Sequence, residues 1–279
     1  MKNNKSLGQH WLKDRAILDE IAALARGDSS ASASVTAPAA TFAPVSAPAS
    51  ASAELCLEIG PGLGTLTSSL LRVFPRVVAV EFDQRLAQNL PQSFPGKNLT
   101  VINQDFLKFD LDGIQESYVI AGNIPYYITS PIIMKILETT SRPLRAVLLI
   151  QKEVAERIVA GPGQHTVLSL SVQNRARVSL GPFVPRDLFT PPPKVDSAVI
   201  VLEPLENPQV SDTVIDFIKK GFAAPRKKLV KNLSAISDVS ANSKSELPSI
   251  LTGLGISENA RPADLSLAQW DALYQRLIA

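Results

Sequence analysis

The chain has 279 residues, of which 45% are apolar and 19% charged, with a formal net charge of +2. That length suits one large domain plus a small one, and no run approaches the roughly 18 uninterrupted apolar residues of a membrane span. One cysteine, Cys56, excludes an internal disulfide, and two histidines far apart, His10 and His165, give no zinc spacing, so no metal is expected. Residues 1–9 are polar and lack the apolar core of a secretory signal, which makes the cytoplasm the expected compartment.

Residues 14–26 have helical spacing, with Ile17, Ile21 and Leu24 on one side. Residues 29–53 are almost all Ala, Ser, Pro, Thr and Val, without charge or sustained period, and read as a flexible insertion. After it, strand and helix alternate. Apolar runs at 55–59, 77–80, 99–102, 118–121 and 146–150 read as strands. Helices are expected at 65–74, 83–90 and 152–160, and another opening at Ser130-Pro131 with serine as N-cap. Residues 175–180 and 197–202 complete seven strands, joined by a proline-rich loop. The alternation predicts an α/β fold, a mostly parallel, doubly wound sheet. Beyond residue 204 only helices are expected, at 211–222, 227–233, 247–254 and 267–278, the last opened by a Ser266/Gln269 capping box. The expected domains are therefore 1–204 and an all-helical 205–279.

Ligands of such sheets bind outside the carboxyl ends of the strands, where the order reverses. The first strand ends in Glu58-Ile59-Gly60-Pro61-Gly62-Leu63-Gly64. Gly60, Gly62 and Gly64 let the backbone turn sharply and approach a ligand. Their spacing differs from the Gly-x-Gly-x-x-Gly dinucleotide fingerprint, which favours an amino-acid and sulfonium group over a pyrophosphate. Glu81 ends the second strand, where an acid accepts from both ribose hydroxyls. Asp105 follows the third, placed to accept from an adenine amine.

The fourth strand runs into Asn123-Ile124-Pro125-Tyr126. Alone, this segment is a β-turn after a strand; behind a glycine loop it reads as a clamp for an exocyclic amine. Asn123 and the carbonyl of Ile124 or Pro125 would accept both amine hydrogens and aim the lone pair. Pro125 has no competing donor, and Tyr126 offers a face on which an extruded base can stack. Displacement at a methyl carbon needs alignment more than a general base.

With these motifs in order, the chain resembles the dimethyladenosine transferases of small-subunit ribosomal RNA. The resemblance also takes in Lys5 to Asp14 (Lys-Ser-Leu-Gly-Gln-His-Trp-Leu-Lys-Asp), Gln151 to Arg157, Pro191 to Val199, and Arg226-Lys227-Lys228-Leu229 with Asn232-Leu233. It implies a Rossmann-like class I methyltransferase domain with a small helical domain, and S-adenosylmethionine as donor, contacted at His10, Leu12, Gly60, Glu81, Asp105 and Asn123. It further implies that Tyr126 and Phe189 sandwich the target adenine. The expected partner is 16S rRNA within an assembling 30S subunit, met by a monomer, with two adjacent adenines dimethylated in a hairpin near its 3′ end. Three departures stand out: the insertion, Tyr127 in place of a common Asn, and a missing Tyr-Gly pair around Thr166 to Ser169.

Arg226, Lys227, Lys228 and Lys231 form a basic block, either a solvated helix face or a phosphate-contacting surface. Other readings stay open: the related 23S rRNA adenine methyltransferases share the clamp, and a non-catalytic RNA-binding factor could keep the fold. A DNA adenine methyltransferase is not expected, since no region of suitable size is present to read duplex sequence.

Overall fold

The structure, a computed structural model, describes residues 10–28 and 53–278. The expected insertion at 29–53 lies outside the described residues except for Ala53, as does the 5–9 part of the N-terminal motif. A short strand β1 (Trp11–Leu12) leads into α1 (Arg15–Arg26), where the Asp14 carboxylate caps the helix by accepting from the Ile17 N–H at 3.0 Å. Then come β2 (Leu55–Ile59), α2 (Thr65–Val73), β3 (Arg76–Glu81), α3 (Gln84–Asn89), β4 (Leu99–Asn103), β5 (Tyr118–Asn123) and α4 (Thr129–Glu138). After these follow β6 (Arg145–Gln151), α5 (Lys152–Val159), α6 (Val167–Gln173), β7 (Ala176–Val184), β8 (Phe189–Thr190) and β9 (Ser197–Pro204). The chain ends in α7 (Asp212–Gly221), α8 (Leu229–Ser234), α9 (Ala241–Gly253) and α10 (Leu267–Leu277).

Seven strands make one sheet in the order β4-β3-β2-β5-β6-β9-β7. The pairs from β4 to β6 are parallel, and β9 runs antiparallel to β6, from Ala146↔Leu202 to Gln151↔Ser197. The α/β fold with a mostly parallel seven-stranded sheet is the one expected. Buried on both faces, β2, β5 and β6 read as continuous apolar runs and not as alternation. Chain order reverses between β2 and β5, which places the switch point of the sheet there. A second, two-stranded ladder joins β1 to β8 antiparallel, with Trp11↔Thr190 and Leu12↔Phe189.

By contacts the chain divides into residues 1–155 with 177–204, and residues 156–176 with 205–279. The units divide at 204/205, as expected, but residues 156–176, expected in the first domain, group with the C-terminal helices. The cause is packing. Leu170 belongs to the cluster that holds Phe217, Leu229, Leu247 and Trp270. Asn174 exchanges two hydrogen bonds with the Val210 backbone, donating to its carbonyl at 3.1 Å and accepting its N–H at 2.8 Å.

Other local differences have similar causes. Helix α4 begins at Thr129 with no side-chain cap, so Ser130 lies inside its first turn and does not cap it. Helix α6 was not foreseen, because Val-Leu-Ser-Leu-Ser-Val alternates with a strand's period; a Thr166/Ser169 capping box starts it. Among the described residues, no helix is long and apolar enough to cross a membrane.

Candidate active site

At the carboxyl ends of β2, β3 and β5 lies a cleft of about 250 Å³. The β2–α2 loop forms one side. Gly60 and Gly62 take φ of 63° and 57°, left-handed values that favour glycine. A Cβ added at Gly62 would come within 2.9 Å of the Trp11 Nε1 atom, so the loop is closed down against the indole.

Glu81, at the end of β3, is 6% exposed. Its carboxylate accepts from the Gly62 N–H at 3.0 Å and the Asp83 N–H at 2.8 Å. Burial pushes this carboxyl up, and the two backbone donors pull it part of the way back. Glu81 thus anchors the glycine loop while lining the cleft. Asp105 lines it too, with its Oδ1 accepting from the Leu107 N–H at 2.9 Å.

Glu58, one residue before Ile59 on β2, is an acid that sequence reasoning left out of the site. It is 1% exposed, lines the cleft, and its Oε2 has no hydrogen-bond partner among the described residues. Burial lifts its carboxyl to about 8, with the Glu81 charge adding to the effect and Thr67 opposing it. The signal was visible as a lone acid inside the apolar run Leu-Cys-Leu-Glu-Ile.

On the other side stands the Asn123–Tyr126 segment. Asn123 donates from Nδ2 to the His10 carbonyl at 2.9 Å. A carbonyl only accepts, so this bond fixes the amide and leaves Oδ1 as an acceptor. The Pro125 carbonyl already accepts from the Ile128 N–H at 3.2 Å, which makes the Ile124 carbonyl the natural second acceptor. Tyr126 is held at its hydroxyl, 2.7 Å from Ser197 Oγ, and burial pushes the phenol up. Its ring lies nearly parallel to that of His10, at 18° with centroids 6.2 Å apart.

The cleft therefore brings together His10, Gly60, Gly62, Glu81, Asp105, Asn123, Pro125 and Tyr126. Two residues named from the resemblance do not join them. Leu12 is 0% exposed and Phe189 2%; both sit in the hydrophobic core and pair with each other across the β1·β8 ladder. Alternation along β1 explains it: with Leu12 turned inward, Trp11 faces the cleft instead. Trp11, Phe82 and the 65%-exposed Tyr127 are lining residues that sequence reasoning had not assigned.

Arg226, Lys227, Lys228 and Lys231 belong to the second unit and are exposed on the approach to and first turn of α8. Lys228 donates to Asn259 Oδ1 at 2.6 Å.

Comparison with known proteins gives a consistent picture. The family described as ribosomal RNA adenine dimethylase matches residues 1–278. The chain is 38% identical over 284 residues to the ribosomal RNA small subunit methyltransferase A of Rippkaea orientalis, covering 95% of this chain and 94% of that protein. It is 37% identical over 277 residues to the protein of the same name from Levilactobacillus brevis, covering 94% and 86%. Among solved structures, a dimethyladenosine transferase from Plasmodium falciparum superposes with a TM-score of 0.74 at 26% identity, over 95% of this chain and 96% of that one. The 23S rRNA methyltransferase ErmE gives 0.70 at 26% identity, over 96% and 99%.

Proposed function

The chain belongs to the ribosomal RNA adenine dimethylases, and from that premise we propose that it dimethylates the 6-amino groups of two adjacent adenines in a hairpin near the 3′ end of 16S rRNA, within the assembling small subunit. It is an rRNA adenine methyltransferase. The observation that carries the reading is that Gly62 and Pro125 line one and the same cleft, so a donor held by the first loop and a base held by the second meet.

The residues present fit S-adenosylmethionine. Glu81 and Asp105 are acceptors at successive strand ends, suited to ribose hydroxyls and an adenine amine. A cationic group beside the buried Glu58, whose Oε2 has no hydrogen-bond partner among the described residues, would favour the ionised form of this otherwise neutral acid. Open space in front of Gly60, where an added Cβ would meet nothing within 4 Å, admits a ligand close to the backbone. When bound, this cofactor supplies a methyl group on a positively charged sulfur.

The amine of adenine is a weak nucleophile because its lone pair is delocalised into the ring. Asn123 Oδ1 and the Ile124 carbonyl accept its two hydrogens and turn the lone pair out of conjugation, toward the cofactor side of the cleft. The His10 carbonyl keeps the Asn123 amide in the orientation this needs. Tyr126 carries the extruded base on its ring face, pinned at the hydroxyl by Ser197. Alignment supplies the acceleration, and no protein base is required. Arg226, Lys227, Lys228 and Lys231 contact RNA phosphates in this reading.

Likeness to ErmE favours a second reading, methylation of 23S rRNA. The curated relatives, at higher identity, favour the small subunit. Methyl incorporation into immature 30S particles and into naked 23S rRNA separates the two. Label in the 30S particles, mapped to adjacent adenines by mass spectrometry, is expected; label in 23S rRNA alone would overturn the proposal.

A further inference from the structure

We propose that Asn232 is a positioning residue that holds residues 224–228 as a preformed basic turn, so that Arg226 and Lys227 meet the phosphates of a folded RNA already in place. The inference rests on the RNA-contacting reading of the basic block above and deepens it at a residue that is itself shielded from RNA.

Asn232 is 4% exposed, whereas Pro225, Arg226, Lys227 and Lys228 are all exposed. From α8 its amide reaches back to the segment that leads into that helix. Its Oδ1 accepts from the Ala224 N–H at 2.8 Å. Its Nδ2 donates to the Ala224 carbonyl at 3.1 Å and to the Lys228 carbonyl at 3.3 Å. An N–H only donates and a carbonyl only accepts, so the three bonds fix which way the amide points. One buried side chain thus ties both ends of the segment together. Between them the Lys227 N–H donates to the Ala224 carbonyl at 2.9 Å, which closes a four-residue turn. Pro225 takes its second position, where a φ near −65° is already set. The exit of the segment is tied as well: the Leu229 N–H donates to the Ala260 carbonyl at 2.7 Å, and Lys228 to Asn259 Oδ1.

A backbone held at this many points presents its cations with less ordering cost at the moment of binding. The charges are also available. Lys219 and Lys220, on α7, are paired with Asp216 and Asp238. Among the described residues, Arg226, Lys227 and Lys231 have no such acid partner. The buried amide therefore shapes the turn, and the exposed cations on it carry the contact with phosphate.

The test uses the full chain and immature 30S particles, with affinity read by filter binding. Asn232→Ala removes no charge, yet it should weaken binding roughly 5-fold, the cost of ordering long side chains on a loosened backbone. It should raise KM for the particles to match, with kcat and S-adenosylmethionine affinity little changed. Pro225→Gly alters no buried side chain and loosens the same turn; it should weaken binding about 3-fold, and it decides the matter if Asn232→Ala does not fold. With Arg226, Lys227 and Lys228 already replaced by Ala, adding either change should weaken binding no further, because the coupling runs through those side chains. The proposal is overturned if either folded variant binds like wild type. It is also overturned if the loss persists undiminished in the triple-alanine background, since Asn232 would then serve the fold alone. Binding that the triple replacement itself leaves unchanged would instead refute the phosphate-contacting reading of the block.

Discussion

Replacing Glu58 by Gln tests whether a neutral acid lies on the floor of the cleft. The side chain is 1% exposed, one of its oxygens has no hydrogen-bond partner among the described residues, and burial lifts its carboxyl to about 8 against an ordinary 4.5. Between those values the folded chain keeps a proton that the unfolded chain has released. Stability from this group is therefore complete below about pH 4.5 and falls as pH rises to about 8, by about 1.4 kcal/mol per pH unit. Across the window the loss is of the order of 5 kcal/mol. Glutamine has nearly the same shape and cannot ionise, so the variant escapes the loss. At about 2–4 °C per kcal/mol for a chain of this size, its advantage in melting temperature should grow from slight near pH 5 to roughly 10 °C or more near pH 8.5. Circular dichroism melts of the cofactor-free protein across that range measure it, and the other carboxylates titrate in both proteins and cancel. Two melting curves that stay parallel with pH would refute the argument, because they would mean that Glu58 is ionised in the fold throughout.

Gly62→Ala puts a side chain at φ 57° and 2.9 Å from Trp11 Nε1; a loss of about 1–2 kcal/mol in stability is expected, with weaker S-adenosylmethionine binding by calorimetry. Asn123→Ala removes both the proposed amine acceptor and the tie to the His10 carbonyl, and single-turnover methylation should fall about 100-fold with cofactor binding still measurable. Replacing Arg226, Lys227 and Lys228 together by Ala should weaken RNA binding and flatten the slope of log K against log salt by about 2 to 3; an unchanged slope would make the block a solvated face.

The parts of the site that were legible in the sequence are those where residue type alone limits what can happen. Gly60 and Gly62 sit at positive φ, Glu81 ends the largely buried β3, Asp105 follows the partly exposed edge strand β4, and the Asn123–Tyr126 segment leaves β5, so each could be placed by strand pattern and loop position. Glu58 was passed over for a different reason: an acid in a run of apolar residues looks like the outward position of a half-exposed strand, and only the sheet's two covered faces make it buried. The grouping of 156–176 with the C-terminal helices was hidden as well, since it depends on Asn174 meeting Val210 and on Leu170 entering a distant cluster.

The direction of side chains around the cleft was the hardest to read, and the physical cause is a ladder of two residues per strand. In β1 and β8 the choice of inward and outward side chains hangs on one register, Leu12 against Phe189, between segments almost the whole catalytic unit apart. A strand's period of two means that a slip by one residue would exchange Trp11 with Leu12 and Phe189 with Thr190. Nothing within either dipeptide selects between these states; the core does, by accepting Leu12 and Phe189 together with Leu18, Val184 and Val199. Once they are inside, Trp11 must lie against the glycine loop, and the backbone is left to deliver the His10 carbonyl to Asn123. Hydrophobic burial on one side of a short ribbon thereby fixes the polar geometry on the other, and the orientation of the Asn123 amide is a consequence of core packing.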